Sequence, residues 1–378
     1  MAINLLLSDN MANEHEHIPV FYRKYRPQTF KDVVGQDHIV RVLENALTRG
    51  KIAHAYLFSG PRGTGKTTVA RILASELKCA PEDIFEIDAA SSRGIDDARE
   101  LREAVRFLPL RSSKKVYIID EVHMLTKEAF NALLKTLEEP PEHVVFILAT
   151  TEPEKVLDTI ISRTQHFSFH KIPIPLIVNE IKRISDIEKM LIEEDALKLI
   201  AFFADGALRD AENILFQMHS LGKNKITEND ARMILGAPPE KETKNLLISA
   251  LKRDLSAALK LLDTLLNEGA DPAMLAKLLL RTLRALYILA VDSKGDTLIK
   301  DEFSSAEIQE FRALLSDLQT TTLPELKKNE NPHALQLELE KALTLILEVL
   351  RTPTDDFLPH LPLELALIKI AMSAKKQE

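Results

Sequence analysis

The chain has 378 residues, room for two or three domains of about 100–200 residues each. Apolar residues make up 45%, ample for real cores, and a formal charge of −8 without a long basic run excludes an autonomous electrostatic DNA binder. One cysteine excludes a disulfide framework and points to a reducing cytoplasm, while no apolar run approaches the ~20 residues of a membrane span.

Residues 1–20 read as a flexible N-terminal segment. The apolar run Ile3–Leu7 lacks a basic flank and a small-residue cleavage site, so it is not a signal peptide, and Met11 is an alternative start. From 21 to 172, short apolar strands alternate with amphipathic helices, which predicts a parallel α/β sheet. The strand candidates are Tyr56–Ser59, Ile84–Asp88, Val116–Asp120, Val144–Ala149 and His166–Phe169.

The first strand runs into Gly60-Pro61-Arg62-Gly63-Thr64-Gly65-Lys66-Thr67, which fits the phosphate loop G-x-x-x-x-G-K-[ST], and Thr68–Ala74 follows as a helix. The glycines let backbone N–H groups wrap phosphates, and the helix N-terminus adds a favourable dipole. Lys66 is expected to reach the β- and γ-phosphates and the Thr67 hydroxyl to hold Mg²⁺. A glycine turn before an ordinary helix is the bland alternative; the strand–loop–helix context selects a nucleoside triphosphate. The strand Val116–Asp120 then delivers Asp120 and Glu121 at its C-terminal end, where open α/β sheets bind ligands. Asp120 is expected to hold hydrated Mg²⁺ near Thr67, and Glu121 to orient or deprotonate the attacking water. Adjacent carboxylates are common on solvated helix starts, so the pair gains weight only beside Lys66. Val144–Ala149 ends in Thr150 and Thr151; Thr151 is the choice to contact the γ-phosphate or the water, with Thr150 the alternate and a plain helix cap the competing reading. Arg163 is either a surface cation or a finger projected into a neighbour's site, and Arg209 either closes over nucleotide or pairs with Asp210 or Asp205.

After Pro173 and Pro175 the β-rich runs disappear, and 173–236 reads as short helices such as Glu193–Ala204 and Leu208–His219, ending at Gly236-Ala237-Pro238-Pro239. Residues 237–378 are helical, with leucine stripes at Leu246, Leu247, Ala250 and Leu251 and at Leu275, Leu278, Leu279, Leu283 and Leu286. Asp271-Pro272, Asn331-Pro332 and Ser304 with Glu307 mark helix starts. The stripes predict a bundle core, which could also carry a subunit interface.

Several segments stand in one order: Tyr25-Arg26-Pro27-Gln28-Thr29-Phe30, Val33-Val34-Gly35-Gln36, the loop at 60–67, Ile87–Ser91, Ile119–Leu125, Phe130–Pro141, Ala149-Thr150-Thr151 and Ser162-Arg163. The series resembles the gamma/tau subunits of bacterial DNA polymerase III clamp loaders, a family of AAA+ ATPases, from about 22 to 236, and more loosely beyond. The resemblance implies an AAA+ P-loop domain with a parallel sheet (21–172), a helical lid (173–236) and an all-α collar (237–378). It implies ATP and Mg²⁺ as cofactors. The expected partners are the other loader subunits in a pentameric ring, a sliding clamp and primer–template DNA bound without regard to sequence. Thr151 takes the sensor 1 position, Arg163 the finger acting in trans and Arg209 the sensor 2 position, while Arg26, Val34 and Gly35 belong to a segment packing near adenine. The alternative is an ATP-binding structural subunit or paralogue with little turnover; a DEAH-like helicase, suggested by Asp120–His123, lacks a second motor domain. Arg93 is a candidate DNA-backbone contact or a solvated loop cation.

Two departures from the family pattern bear on function. Cys79 occupies the first ligand position of a four-cysteine zinc module whose other ligands are missing, so no zinc is expected. The chain ends where a collar ends, so tau-type extensions are not expected either.

Overall fold

The computed structural model describes residues 20–91, 101, 103–292, 294–319, 333–352 and 358–372. All five strand candidates form, shifted by at most one residue at an end: β1 (Ala55–Ser59), β2 (Ile84–Asp88), β3 (Lys115–Asp120), β4 (Val144–Thr150) and β5 (Gln165–Ser168). They pair in parallel in the order β2-β3-β4-β1-β5. β1 and β4 are buried at every position, as expected of strands covered on both faces. The two-residue period divides their side chains. Tyr56, Phe58, Val116, Ile118 and Ile147 face one apolar cluster; Leu57, Tyr117, Ile119, Phe146 and Leu148 face another.

The first cluster is closed by α2 (Asp37–Thr48) and α3 (Lys66–Glu76), through Ile39, Leu43, Val69 and Leu73. The second is closed by α4 (Lys127–Glu138) and the short α5 (Asp158–Ile161), through Phe130 and Ile160. Because β4 lies between β1 and β3, the turns that leave all three strands meet at one edge of the sheet.

A helical layer follows: α6 (Ile174–Ile187), α7 (Glu194–Phe203), α8 (Leu208–His219) and α9 (Glu228–Leu235). Pro175 does not break α6 but sits in its first turn, where a missing N–H costs no intrahelical bond. The expectation that strands end before this region needs correction. Leu191–Ile192 and Lys225–Ile226 pair as β6 and β7, each too short to show a two-residue period in sequence. The layer's core joins Ile177, Ile181, Ile200, Leu215 and Met218. Phe21, from the one-turn helix α1 (Phe21–Lys24), enters this core rather than the sheet and meets Phe216 edge-on, with ring centroids 5.2 Å apart.

The remaining helices are α10 (Glu240–Leu251), α11 (Leu255–Asn267), α12 (Pro272–Val291), α13 (Asp296–Ile299), α14 (Ser305–Asp317), α15 (Ala334–Arg351) and α16 (Leu361–Met372). Asp271 caps α12 by accepting from Met274 N at 2.7 Å, and Ser304 with Glu307 forms the expected capping box of α14. Asn331-Pro332 lies outside the described residues. The leucine stripes are consumed inside this bundle, except Leu278, which packs with the preceding helical core and ties the two layers together.

Candidate nucleotide-binding site

The phosphate loop leaves β1 in a conformation only glycine tolerates. Gly60 has φ +136°, and a Cβ there would stand 2.3 Å from the Phe169 carbonyl oxygen. At Gly63, φ +75°, a Cβ would stand 2.8 Å from the Ala207 Cβ, so the loop passes directly beneath the start of α8. α3 then begins at Lys66, leaving first-turn N–H groups aimed at the loop's concavity. The Lys66 ammonium is buried and donates to Gly60 O at 2.7 Å and Pro61 O at 2.8 Å. Burial lowers its pKa, opposed by the negative charges of Glu121 and Asp120.

The expected Mg²⁺ ligands meet across the sheet: Thr67 Oγ1 donates to Asp120 Oδ2 at 2.7 Å. A hydroxyl and a carboxylate offer hard oxygens, the donor set of a cation that takes its remaining ligands from phosphate and water. This chemistry fits Mg²⁺. Glu121 turns sharply out of β3 with φ 49° and ψ 45°, a left-handed geometry uncommon outside glycine. Its N–H is held by Asp120 Oδ1 at 3.0 Å, and its Oε2 accepts from Thr151 Oγ1 at 2.9 Å and Thr151 N at 3.2 Å.

Thr150, the last residue of β4, is buried, with its hydroxyl 2.9 Å from His123 Nδ1. Of the two neighbouring threonines, Thr151 is the one that reaches Glu121. His123 sequence reasoning did not place in the site. It stands 3.4 Å from Glu121 Oε2 through Nδ1 and 3.2 Å from Glu152 Oε1 through Nε2.

A cleft of about 350 Å³ runs from the loop toward the helical layer. Arg62, Gly63, Thr64, Gly65, Lys66, Thr67 and Thr68 line its polar end with Asp120 and Glu121. Arg26 and Val34 of the predicted adenine segment line the other end; Gly35 does not, but packs its backbone against Ile172. Gln36 clamps this segment to the sheet, donating to His170 O at 2.8 Å and accepting from His170 N at 3.2 Å. Arg209 lines the cleft with its guanidinium 4.6 Å from the centroid of the Tyr22 ring. It pairs with neither suggested aspartate, and Asp205 is bound to Lys171 at 2.6 Å.

Tyr22, Asp88, Ile172, Leu208 and Glu212 also line the cleft and were not singled out from sequence. Asp88 had a legible signal: it ends β2 in register with Asp120, at the ligand edge of the sheet. Leu208 and Glu212 flank Arg209 at helical spacing. Tyr22 carries no local signal.

Arg163 does not reach this chain's cleft. It is half-exposed, with Nη2 on Glu138 Oε1 at 2.8 Å and Nη1 on Thr159 O at 2.8 Å. Arg93 lies outside the described residues. Cys79 is buried, donates to Lys114 O at 3.4 Å, and has its thiol pushed up to about 11 by burial. Among the described residues no three His, Cys, Asp or Glu side chains are grouped to hold a metal, and no helix is long and apolar enough to cross a membrane.

A phosphate loop on β1, paired acids ending β3, a hydroxyl after β4 and a helical layer over the cleft define a P-loop nucleotide-binding protein on a parallel sheet of order β2-β3-β4-β1-β5. The family described as DNA polymerase III, delta subunit matches residues 35–88 and 81–173, and that described as DNA polymerase III subunits gamma and tau domain III matches 226–377. The DNA polymerase III subunit tau of Bacillus subtilis is 48% identical over 67% of this chain and 49% of its own length. The DNA polymerase III subunit gamma of Buchnera aphidicola (subspecies Baizongia pistaciae) is 44% identical over 62% of this chain and 70% of its own. The chain thus spans about half the length of the Bacillus relative. Among solved structures, the Thermotoga maritima RuvB Holliday junction branch migration motor superposes with TM-score 0.48 at 23% identity, covering 59% of this chain and 78% of its own. The chain belongs to the gamma/tau family of DNA polymerase III subunits.

Proposed function

We propose that this chain is an ATP-hydrolysing motor subunit of a DNA polymerase III clamp loader, working in the cytoplasm. The observation that carries the reading is the convergence of Lys66, Thr67, Asp120 and Glu121 on one cleft, with Thr151, just past the end of a third strand, bound to Glu121. Lys66, released from the Gly60 and Pro61 carbonyls, is placed to neutralise the β- and γ-phosphates. Thr67 and Asp120 would hold Mg²⁺, which would supply positive charge against the charge developing on the phosphates. Glu121, oriented by Thr151, would accept a proton from the attacking water. Arg209 would close the lid on the phosphates.

Family membership supports a ring of loader subunits, ATP, a sliding clamp and primer–template DNA as partners. It also supports Arg163 as the cation supplied to a neighbour's site, since in its own chain it faces away from the cleft. Zinc has no part in this proposal, because one buried, protonated thiol is a poor ligand. The test is steady-state ATP turnover by the chain alone and with loader subunits, clamp and primed DNA. Stimulation by the full set is expected, and its loss in Glu121→Gln. Equal turnover in Glu121→Gln and wild type overturns the motor assignment and leaves at most a nucleotide-holding scaffold.

A further inference from the structure

The base end of the cleft holds a group that triphosphate chemistry does not use. Val33, Val34, Ile172 and Leu208 give this end apolar walls suited to a flat heteroaromatic ring. Glu212 lines the same end, one helical turn beyond Leu208, and is 5% exposed. Among the described residues nothing donates a hydrogen bond to its carboxyl. A carboxyl this closely enclosed carries its charge at a cost, and it opens onto the cleft, where a ligand could supply the donor that the described residues do not.

We propose that Glu212 reads the purine base, its carboxyl oxygen accepting a hydrogen bond from a 6-amino group, so that the cleft selects 6-aminopurine nucleotides. This rests on the nucleotide-site reading above and adds a specificity-determining residue to it. Charge around Glu212 supports the role. Burial, and after it Glu180 of α6, raise its pKa to about 8 against the opposing charges of Arg183 of α6 and Arg26. Glu180 is itself bound by Arg183 at 2.9 Å, and Arg183 and Arg26 act on Glu212 through charge alone, without a hydrogen bond. Below pH 8 the group is a neutral acid whose carbonyl accepts; above it, a carboxylate accepts more strongly.

The experiment titrates the full chain, with Mg²⁺, against ATP and against purine riboside triphosphate, which differs only by lacking the 6-amino group. Wild type is expected to bind ATP about tenfold tighter than the analogue, with the ratio growing above pH 8. Glu212→Gln, which keeps an acceptor oxygen but cannot ionise, retains the preference and makes it independent of pH. Glu212→Leu, which suits the apolar walls, binds both within about twofold. A Leu variant that keeps the wild-type ratio overturns the inference while leaving the nucleotide site standing. Failure of wild type to bind either compound overturns the site itself and the inference with it.

Discussion

Glu121 is not free in the cleft: two donors from Thr151 grip one of its oxygens while the strained backbone at φ 49° aims it. A carboxylate so held leaves its second oxygen open, as the proposed in-line attack by water would need. Glu121→Gln can still accept from Thr151 but takes no proton, so turnover should fall by roughly 10²–10⁴-fold with nucleotide affinity preserved. Parallel measurement of steady-state turnover and equilibrium nucleotide binding separates the two effects. At this scale the loop, the paired acids and Lys66 were legible because each needs a specific residue type. Thr151 was preferred to Thr150 from sequence, but its grip on Glu121 and the Thr150–His123 contact were not legible, because they depend on which strand ends become neighbours.

Elements bring their own terms. Asp271 caps α12, and Asp271→Ala should cost about 1 kcal/mol in urea unfolding, with little change in nucleotide binding. α8 is more consequential, since one face carries Leu208, Arg209 and Glu212 to the cleft. With a folded pKa near 8 against an ordinary 4.5, Glu212 keeps its proton in the native state where the unfolded chain has lost it. Stability therefore declines as pH rises between those values, by an amount on the order of 3 kcal/mol at pH 7. Glu212→Gln should remove that decline: its urea midpoint should exceed wild type at pH 8 and approach it in the ordinary carboxyl range. The α8 span itself was readable from its apolar period. Glu212's burial was not, because nothing local announces that the segment before the sheet will pack against α8.

The whole molecule is three packed layers whose seams decide function. Leu278 crosses one of them, from the bundle into the helical core above the cleft. Leu278→Ala should destabilise by about 2–5 kcal/mol and, by loosening the seam, separate the unfolding of the two layers in calorimetry. In the proposed assembly Arg163 would mark an outer seam. Its exposed pair with Glu138 contributes about 0–1 kcal/mol, so Arg163→Ala should leave the isolated chain's melting nearly unchanged. In the reconstituted assembly the same variant should lose about 10³-fold or more in turnover, and full turnover there would remove the trans role.

Sequence alone determined the strand positions, the phosphate loop, the acids after β3 and the leucine-rich bundle, because hydrophobic period and motif chemistry act over a few residues. Tertiary structure decided which strand ends become neighbours, which threonine faces Glu121, and that Tyr22 and Glu212 complete the cleft. Those depend on the order β2-β3-β4-β1-β5 and on how the helical layer settles over it, contacts between residues up to nearly two hundred positions apart that no local pattern encodes.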